Sequence, residues 1–567
     1  MLDGLTSIPA KFFTTDGKRL SIFAYAFLVL LCVAFFAPGF VTLPPTDRDE
    51  SSFAQATKQM IETGNYVDIR LQEKPRYKKP VGIYWLQAAS VHIFNVQHLN
   101  EVWAYRIPSF LGATLAVVMT AALGALLFSP MAGLLAGFMM AGCVILNVEA
   151  RLAKTDAALL GSIMVMQYAL ARAYIYRKAP KKIAWGTGIA FWTALGIGIL
   201  IKGPIILLVL FSTLLWLRLT DKNLSWFQVL KPLLGIPYLI LLTAPWFISI
   251  LMQSHGAFLE QSAGQDMLAK LWQGQDRGIL PPGLHLLAFP IVFFPFSLLA
   301  LLAIPDSWQN KNKPAVRFCL GWIVPTWIVF ELSLTKLPHY VLPTYPAIAL
   351  LTAKALLDGY PVLAERGWRW LVALAVGLWL VVGTGFALVF AWLPYGVDHV
   401  WNIGQIAASA LLVIAQGMGL FLLLQRKTDS VIALTAGSLV FMLYVFGNTL
   451  PGLQHLWISR QVVQTAEVMK PCDHVQIISA SYNEPSLVFM AGTNTKFVPD
   501  GGQVANEMRR DACQLGLVDD KHKDAFVAGF SDQHEKPFAI SKIEGLNIGH
   551  GKPTELTLYF LPKAHTP

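Results

Sequence analysis

Residues 81–94 read Val81-Gly82-Ile83-Tyr84-Trp85-Leu86-Gln87-Ala88-Ala89-Ser90-Val91-His92-Ile93-Phe94. As a helix this run would be about 21 Å long at 1.5 Å per residue. Crossing the hydrocarbon layer takes about 30 Å. The segment is therefore expected to lie in the interface instead of spanning. That placement decides the topology of the rest of the chain. Spans are predicted at about 21–40, 107–128, 131–149, 157–176, 184–201, 204–218, 232–252, 284–303, 316–334, 339–357, 369–393, 404–424 and 430–450. With 81–94 left out of the count there are thirteen, and the basic clusters all share the side of Lys11, Lys18 and Arg19. These clusters are Arg172, Arg177, Lys178, Lys181 and Lys182; Arg218, Lys222 and Lys231; Lys311, Lys313 and Arg317; Arg366 and Arg369; and Arg426 and Lys427. Cytoplasmic loops carry that bias. If 81–94 crossed, every cluster would face outward.

Composition excludes the soluble classes. Of 567 residues, 55% are hydrophobic and 14% charged, against about a quarter charged in soluble domains. The net charge of +10 lies mostly in short loops, where it orients the chain and does not imply nucleic acid. The run 21–40 is too long for a signal-peptide core, and no small-residue cleavage site follows it, so it is expected to remain as the first span. Cys32, Cys143 and Cys319 fall in spans and read as small buried hydrophobes. No Cys-x-x-Cys, His-x-x-x-His or Walker-type glycine loop is present. The expected organisation is a membrane domain over 1–450, with a first outer loop at 41–106, and an outer α/β domain over 451–567. In the latter, 475–479, 495–498 and 555–560 read as strands and 503–515 as a helix. Cys472 and Cys513 could form a disulfide there or remain two buried thiols, because spacing alone does not fix their separation.

The unexplained polar residues gather on the outer side. The first loop opens with Thr46-Asp47-Arg48-Asp49-Glu50 and later carries Arg70, Lys74, Arg76, Lys78 and Lys79 before Tyr84 and Trp85. A carboxylate can take a proton from an attacking hydroxyl, and cations can stabilise a departing phosphate. Plainer readings stand beside this one. Asp47 or Asp49 could cap the following helix, the basic run could be a headgroup-binding face, and the aromatics could be an interfacial belt. Asp156, preceded by Lys154-Thr155, begins a span, where Thr155 could cap. Lys202 sits in Ile201-Lys202-Gly203-Pro204 and could simply snorkel. Lys336-Leu337-Pro338-His339-Tyr340 forms another outer hairpin. The loop 253–283 carries His255, Glu260, Asp266, Lys270, Asp276 and Arg277.

Asp49-Glu50-Ser51-Ser52-Phe53-Ala54, Gly64-Asn65-Tyr66 and Tyr77-Lys78-Lys79-Pro80-Val81-Gly82-Ile83-Tyr84-Trp85-Leu86 resemble the first outer loop of the aminoarabinose (lipid A) transferase family. These are GT-C membrane glycosyltransferases related to protein O-mannosyltransferases. Asp156, Lys202-Gly203-Pro204 and Lys336-Leu337-Pro338-His339-Tyr340-Val341-Leu342-Pro343 resemble further motifs of that family in order. The resemblance covers about residues 20–350. It implies an all-α polytopic GT-C fold of about thirteen transmembrane helices with a periplasmic domain, in a bacterial inner membrane with the N-terminus cytoplasmic. It also implies a polyprenyl-phosphate sugar donor and a lipid A, lipopolysaccharide or other glycolipid acceptor at the outer leaflet.

By the resemblance Asp49 corresponds to the catalytic acid, and Lys79, Asp156, Lys202 and Tyr340 to residues lining the donor and acceptor cavity. With the residue reading added, the expected catalytic residues are Asp49 and Asp156. The expected substrate-binding residues are Glu50, Arg76, Lys78, Lys79, Tyr84, Lys202, His255, Lys336, His339 and Tyr340. No cofactor is required on this reading. A divalent cation lacks support because the family's acid before Lys79-Pro80 is replaced by Lys78. The family's basic residue three positions after Asp49 is Ser52 here. The shift of positive charge to 78–79 predicts an acidic transferred sugar, such as a uronic acid. Three rival readings remain: a transferase with a protein acceptor, a non-catalytic lipid-binding scaffold, and a lipid transporter. The last would place ionisable residues at mid-bilayer in two symmetric halves.

Overall fold

The computed structural model describes residues 14–15, 19–46, 48–179, 183–262, 281–469, 472, 475–511, 513–530 and 536–562. Among them, ten helices are long and apolar enough to cross a membrane, from Trp103–Leu127 through Asp429–Gly452. The other three expected spans are built differently. Ile22–Phe36 and Pro130–Gly142 are apolar helices of 15 and 13 residues, and the second resumes after Cys143 as Val144–Glu149. The stretch expected at 284–303 is broken into Leu284–Val292 and Ser297–Gln309. Pro295 lies in the break, and a proline nitrogen cannot donate to a helical ladder. The chain is a multi-span helical membrane protein carrying a small C-terminal α/β sheet.

The segment at 81–94 forms the helix Gly82–Phe94, 13 residues long. Ile83, Tyr84, Gln87 and Val91 are buried on one side, while Leu86, Ile93 and Phe94 present apolar side chains outward. A short helix with one packed and one exposed apolar face suits the membrane interface. Its N-terminus crosses the span Trp185–Lys202 so closely that a Cβ on Gly82 would sit 2.7 Å from the Leu200 backbone.

Small residues also bring together the spans that carry the site. A Cβ on Gly112, in Trp103–Leu127, would lie 2.5 Å from the Ala157 carbonyl oxygen. A Cβ on Gly161 would lie 2.9 Å from the Gly112 carbonyl oxygen. In lipid, where helices gain little from hydrophobic burial against each other, such close backbone approach supplies packing. It seats the N-terminus of Asp156–Ile175 beside the first loop.

That loop holds the helix Asp49–Thr63, which ends at Gly64 with φ +68°. The residue ahead of it is Arg48, and no side chain caps the helix N-terminus. Asp49 is therefore the first helical residue and not a cap; Asp47 lies outside the described residues.

The C-terminal sheet runs in the order Lys496–Phe497, Gln476–Ser479, Gln514–Asp519, Lys552–Phe560, Phe538–Asn547. The first three strands are parallel and the last two antiparallel to their neighbours. Ile477, Leu515, Leu517 and Leu558 pack on one face with Ile458, Val462 and Leu487. Ile478, Val518 and Tyr559 pack on the other with Val504, Met508 and Phe526. The helix predicted at 503–515 ends at Arg510, and the apolar run after it is the central strand, covered on both faces. Such a strand loses the alternation by which strands are usually read. Cys472 and Cys513 are joined as a disulfide with their Cα atoms 5.5 Å apart.

Candidate active site

The first loop is fixed by an ion pair. The Arg106 guanidinium donates to both Glu50 carboxylate oxygens, at 2.7 and 3.1 Å, and neither side chain is exposed. Arg106 also donates to the carbonyls of Phe40, Leu43 and Pro44. Glu50 accepts in addition from the backbone N–H groups of Thr46 and Ala153. Burial alone would raise the Glu50 carboxyl. The Arg106 charge and these donors outweigh it and hold the group below its ordinary value. Glu50, expected to bind substrate, is thus committed to structure: every strong acceptor direction is taken.

The next residue behaves oppositely. The Asp49 side chain is exposed and lines a cavity of about 2360 Å³. Among the described residues it makes no hydrogen bond or ion pair. Arg48, Arg76, Lys78 and Lys79 line the same cavity. Arg76 is buried to 8% exposure, with its guanidinium 4.6 Å from the Phe53 ring centre and a 3.3 Å hydrogen bond to the Tyr84 hydroxyl.

The spans supply a further part of the lining. Lys202 Nζ lies 2.5 Å from Asp156 Oδ1 and 5.7 Å from the centre of the Tyr340 ring. His339 Nε2 is 3.9 Å from the other Asp156 oxygen, and its Nδ1 is 3.7 Å from Glu149. Glu149 also accepts from Lys154 at 3.2 Å. Burial opposes the Lys154 charge, but Glu149, Asp156 and Asp49 together raise its affinity for the proton. Thr155 does not cap its helix; its hydroxyl reaches Asp156 instead, at 3.3 Å. Further along, Phe247, Phe258, Leu259, Val329 and Phe330 give this cavity an apolar flank.

Asp49, Arg76, Lys78, Lys79, Asp156, Lys202, His339 and Tyr340 therefore meet in one cavity, as the sequence predicts. Three expected binding residues do not line it. Tyr84 is fully buried against Phe53 and steadies Arg76. Lys336 is buried and donates to the Ser333 carbonyl at 2.6 Å, within its own turn. His255 is exposed at a helix end with φ +49°. Asp266, Lys270, Asp276 and Arg277 lie outside the described residues.

Residues 78–248 match the dolichyl-phosphate-mannose-protein mannosyltransferase family. The sequence is 25% identical over 428 residues, 71% of each chain, to the undecaprenyl phosphate-α-4-amino-4-deoxy-L-arabinose arabinosyl transferase of Pectobacterium atrosepticum. It is 25% identical over 313 residues to arabinosyl transferase 1 of Pseudomonas fluorescens, and spans 55% of that protein's length. The solved structure of ArnT from Cupriavidus metallidurans in the apo state superimposes with a TM-score of 0.71 over 94% of this chain and 98% of that one, at 17% identity. The same protein bound to undecaprenyl phosphate gives 0.69 at 16% identity, over 95% and 98%. The chain has the ArnT fold.

The likeness to ArnT runs through the C-terminal sheet as well as the spans. Loops between its strands contribute to the cavity: Asn483, Asn494, Thr495 and His550 line it. Sequence reading missed these residues, along with Glu149, Lys154 and the Arg106 staple. None carries a local signature; each is identified only by which distant segment it meets.

Proposed function

We propose that the chain is an integral-membrane glycosyltransferase that moves a sugar from a polyprenyl-phosphate donor to lipid A, lipopolysaccharide or a related glycolipid on the periplasmic face. The single observation that carries this reading is the Asp49 carboxylate, which makes no hydrogen bond or ion pair among the described residues, in one cavity with Lys78, Lys79 and an Asp156-held Lys202. The apolar flank suits a lipid-linked donor. Domain 1–450 supplies the reaction chamber, and domain 451–567 covers it from the periplasm. The N-terminus lies in the cytoplasm.

In the proposed step, the acceptor hydroxyl oxygen forms a bond to the anomeric carbon. The bond from that carbon to the phosphate oxygen breaks, and its electron pair leaves with the polyprenyl phosphate. Asp49 takes the hydroxyl proton, and Lys79 and Lys202 neutralise the charge gathering on the phosphate. Attack opposite the leaving group inverts the anomeric centre. Asp156 acts through Lys202, holding the ammonium where the phosphate departs.

Mass spectrometry of lipopolysaccharide and membrane lipids, with and without the protein, tests the reading. The expected result is a one-sugar mass increment on a glycolipid. An unchanged lipid profile alongside a newly glycosylated protein would overturn it in favour of a protein acceptor.

A further inference from the structure

The cavity has two chemically different walls. The loop and span wall carries Arg48, Arg76, Lys78, Lys79, Lys154 and Lys202. The wall from the C-terminal sheet is close to neutral, built from amides and hydroxyls at Asn483, Thr493, Asn494 and Thr495. Its lysine, Lys496, is paired with Glu507 at 2.9 Å, and its histidine, His550, lies 3.6 Å from Glu484. Phosphate is recognised by cations; sugar hydroxyls are matched by neutral groups that both donate and accept, as amides do.

The neutral wall is also held rigidly. Gln72 Nε2 donates to the carbonyls of Thr493 and Thr495, at 3.1 and 2.6 Å. Gln55 donates to the Thr493 hydroxyl at 2.9 Å, and that hydroxyl donates to Glu62 at 2.8 Å. Gln476 donates to the Asn494 carbonyl at 2.6 Å and accepts from Gln514 at 2.8 Å. The turn's backbone is thereby satisfied, whereas the side-chain amides of Asn483 and Asn494 are exposed and make no hydrogen bond among the described residues. The backbone that carries Asn494 is held in place, and the donors and acceptors of both amides are open to a ligand in the cavity.

Resting on the transferase reading, we infer that Asn483 and Asn494 form a carbohydrate subsite for the acceptor's sugar headgroup, so that the C-terminal domain reads the acceptor while the first loop and spans hold the donor phosphate. The test uses the full chain in nanodiscs, purified lipopolysaccharide as acceptor, and polyprenyl-phosphate sugar extracted from the producing cells as donor. Asn483→Ala and Asn494→Ala should each raise the lipopolysaccharide Kd, measured without donor, by about 5-fold, the worth of one neutral hydrogen bond. The acceptor KM should rise in parallel with the donor KM unchanged. An unchanged lipopolysaccharide Kd, or a rise in donor KM instead, would overturn the subsite. Failure of the wild type to transfer any sugar would overturn the transferase reading alone, because the binding measurement needs no turnover.

Discussion

Lys202 Nζ and Asp156 Oδ1 sit 2.5 Å apart, joining two spans 46 residues apart in sequence in the lining of the cavity that also holds Asp49. A lysine held in this way presents its charge in one direction, where a free one would sample many. Lys202→Met should lower kcat/KM by roughly 10- to 100-fold, the worth of one charge-assisted hydrogen bond to a phosphate. If Asp156 works through Lys202, the double variant Asp156→Asn/Lys202→Met should be no slower than Lys202→Met. A double-mutant cycle on initial rates checks this, and additive losses would give Asp156 a separate role.

Asp49 and Glu50 are neighbours with opposite fates. Asp49→Asn should reduce transfer roughly 100- to 10,000-fold with no change in thermal stability, because Asp49 contributes no hydrogen bond or ion pair to the fold among the described residues. Initial rates and melting in the same detergent separate the two effects.

Glu50→Gln leaves the Arg106 charge buried without its counter-ion and should destabilise by about 3–5 kcal/mol. Because the folded-state carboxyl lies below its ordinary value, its stabilising contribution is full above about pH 4.3 and fades as the pH falls through the folded value. Melting temperatures between pH 7 and pH 3.5 should therefore show an acid limb in the wild type that Glu50→Gln lacks.

Lys78 lines the cavity beside Lys79. Lys78→Glu should shift donor preference from acidic sugars toward amino sugars, measured as the ratio of transfer rates with the two donor types. An unchanged ratio would disconnect this lysine from sugar choice.

The proposed orientation can be checked directly. Cysteines introduced at the exposed positions Glu73 and Lys178 should differ in labelling by a membrane-impermeant maleimide added to the periplasmic side. Glu73→Cys should react and Lys178→Cys should not.

The spans were legible because lipid demands long apolar runs. The residues that composition cannot explain, Asp49, Lys79, Asp156, Lys202 and Tyr340, proved to share one cavity. Long-range pairing was not legible. Glu50 and Arg106 are separated by 56 residues, and nothing local distinguishes a structural carboxylate from a reactive one at adjacent positions. Lys154 reads as an ordinary span flank until Glu149 and His339 are seen around it. The turn at 493–495 lies more than 400 residues from Gln72, so its place over the cavity has no trace in either segment alone. The helix at 501–510 was overrun because the central strand after it has no polar side.

The helix Gly82–Phe94 begins three residues after Lys79 and meets the span Trp185–Lys202 backbone to backbone at Gly82. A side chain at Gly82 would force these two backbones apart and carry Lys78 and Lys79 away from the end of the span that holds Lys202. The spacing between these two sets of ammonium groups is thus fixed by a contact at a residue that has no side chain, and their joint grip on one phosphate depends on that smallness.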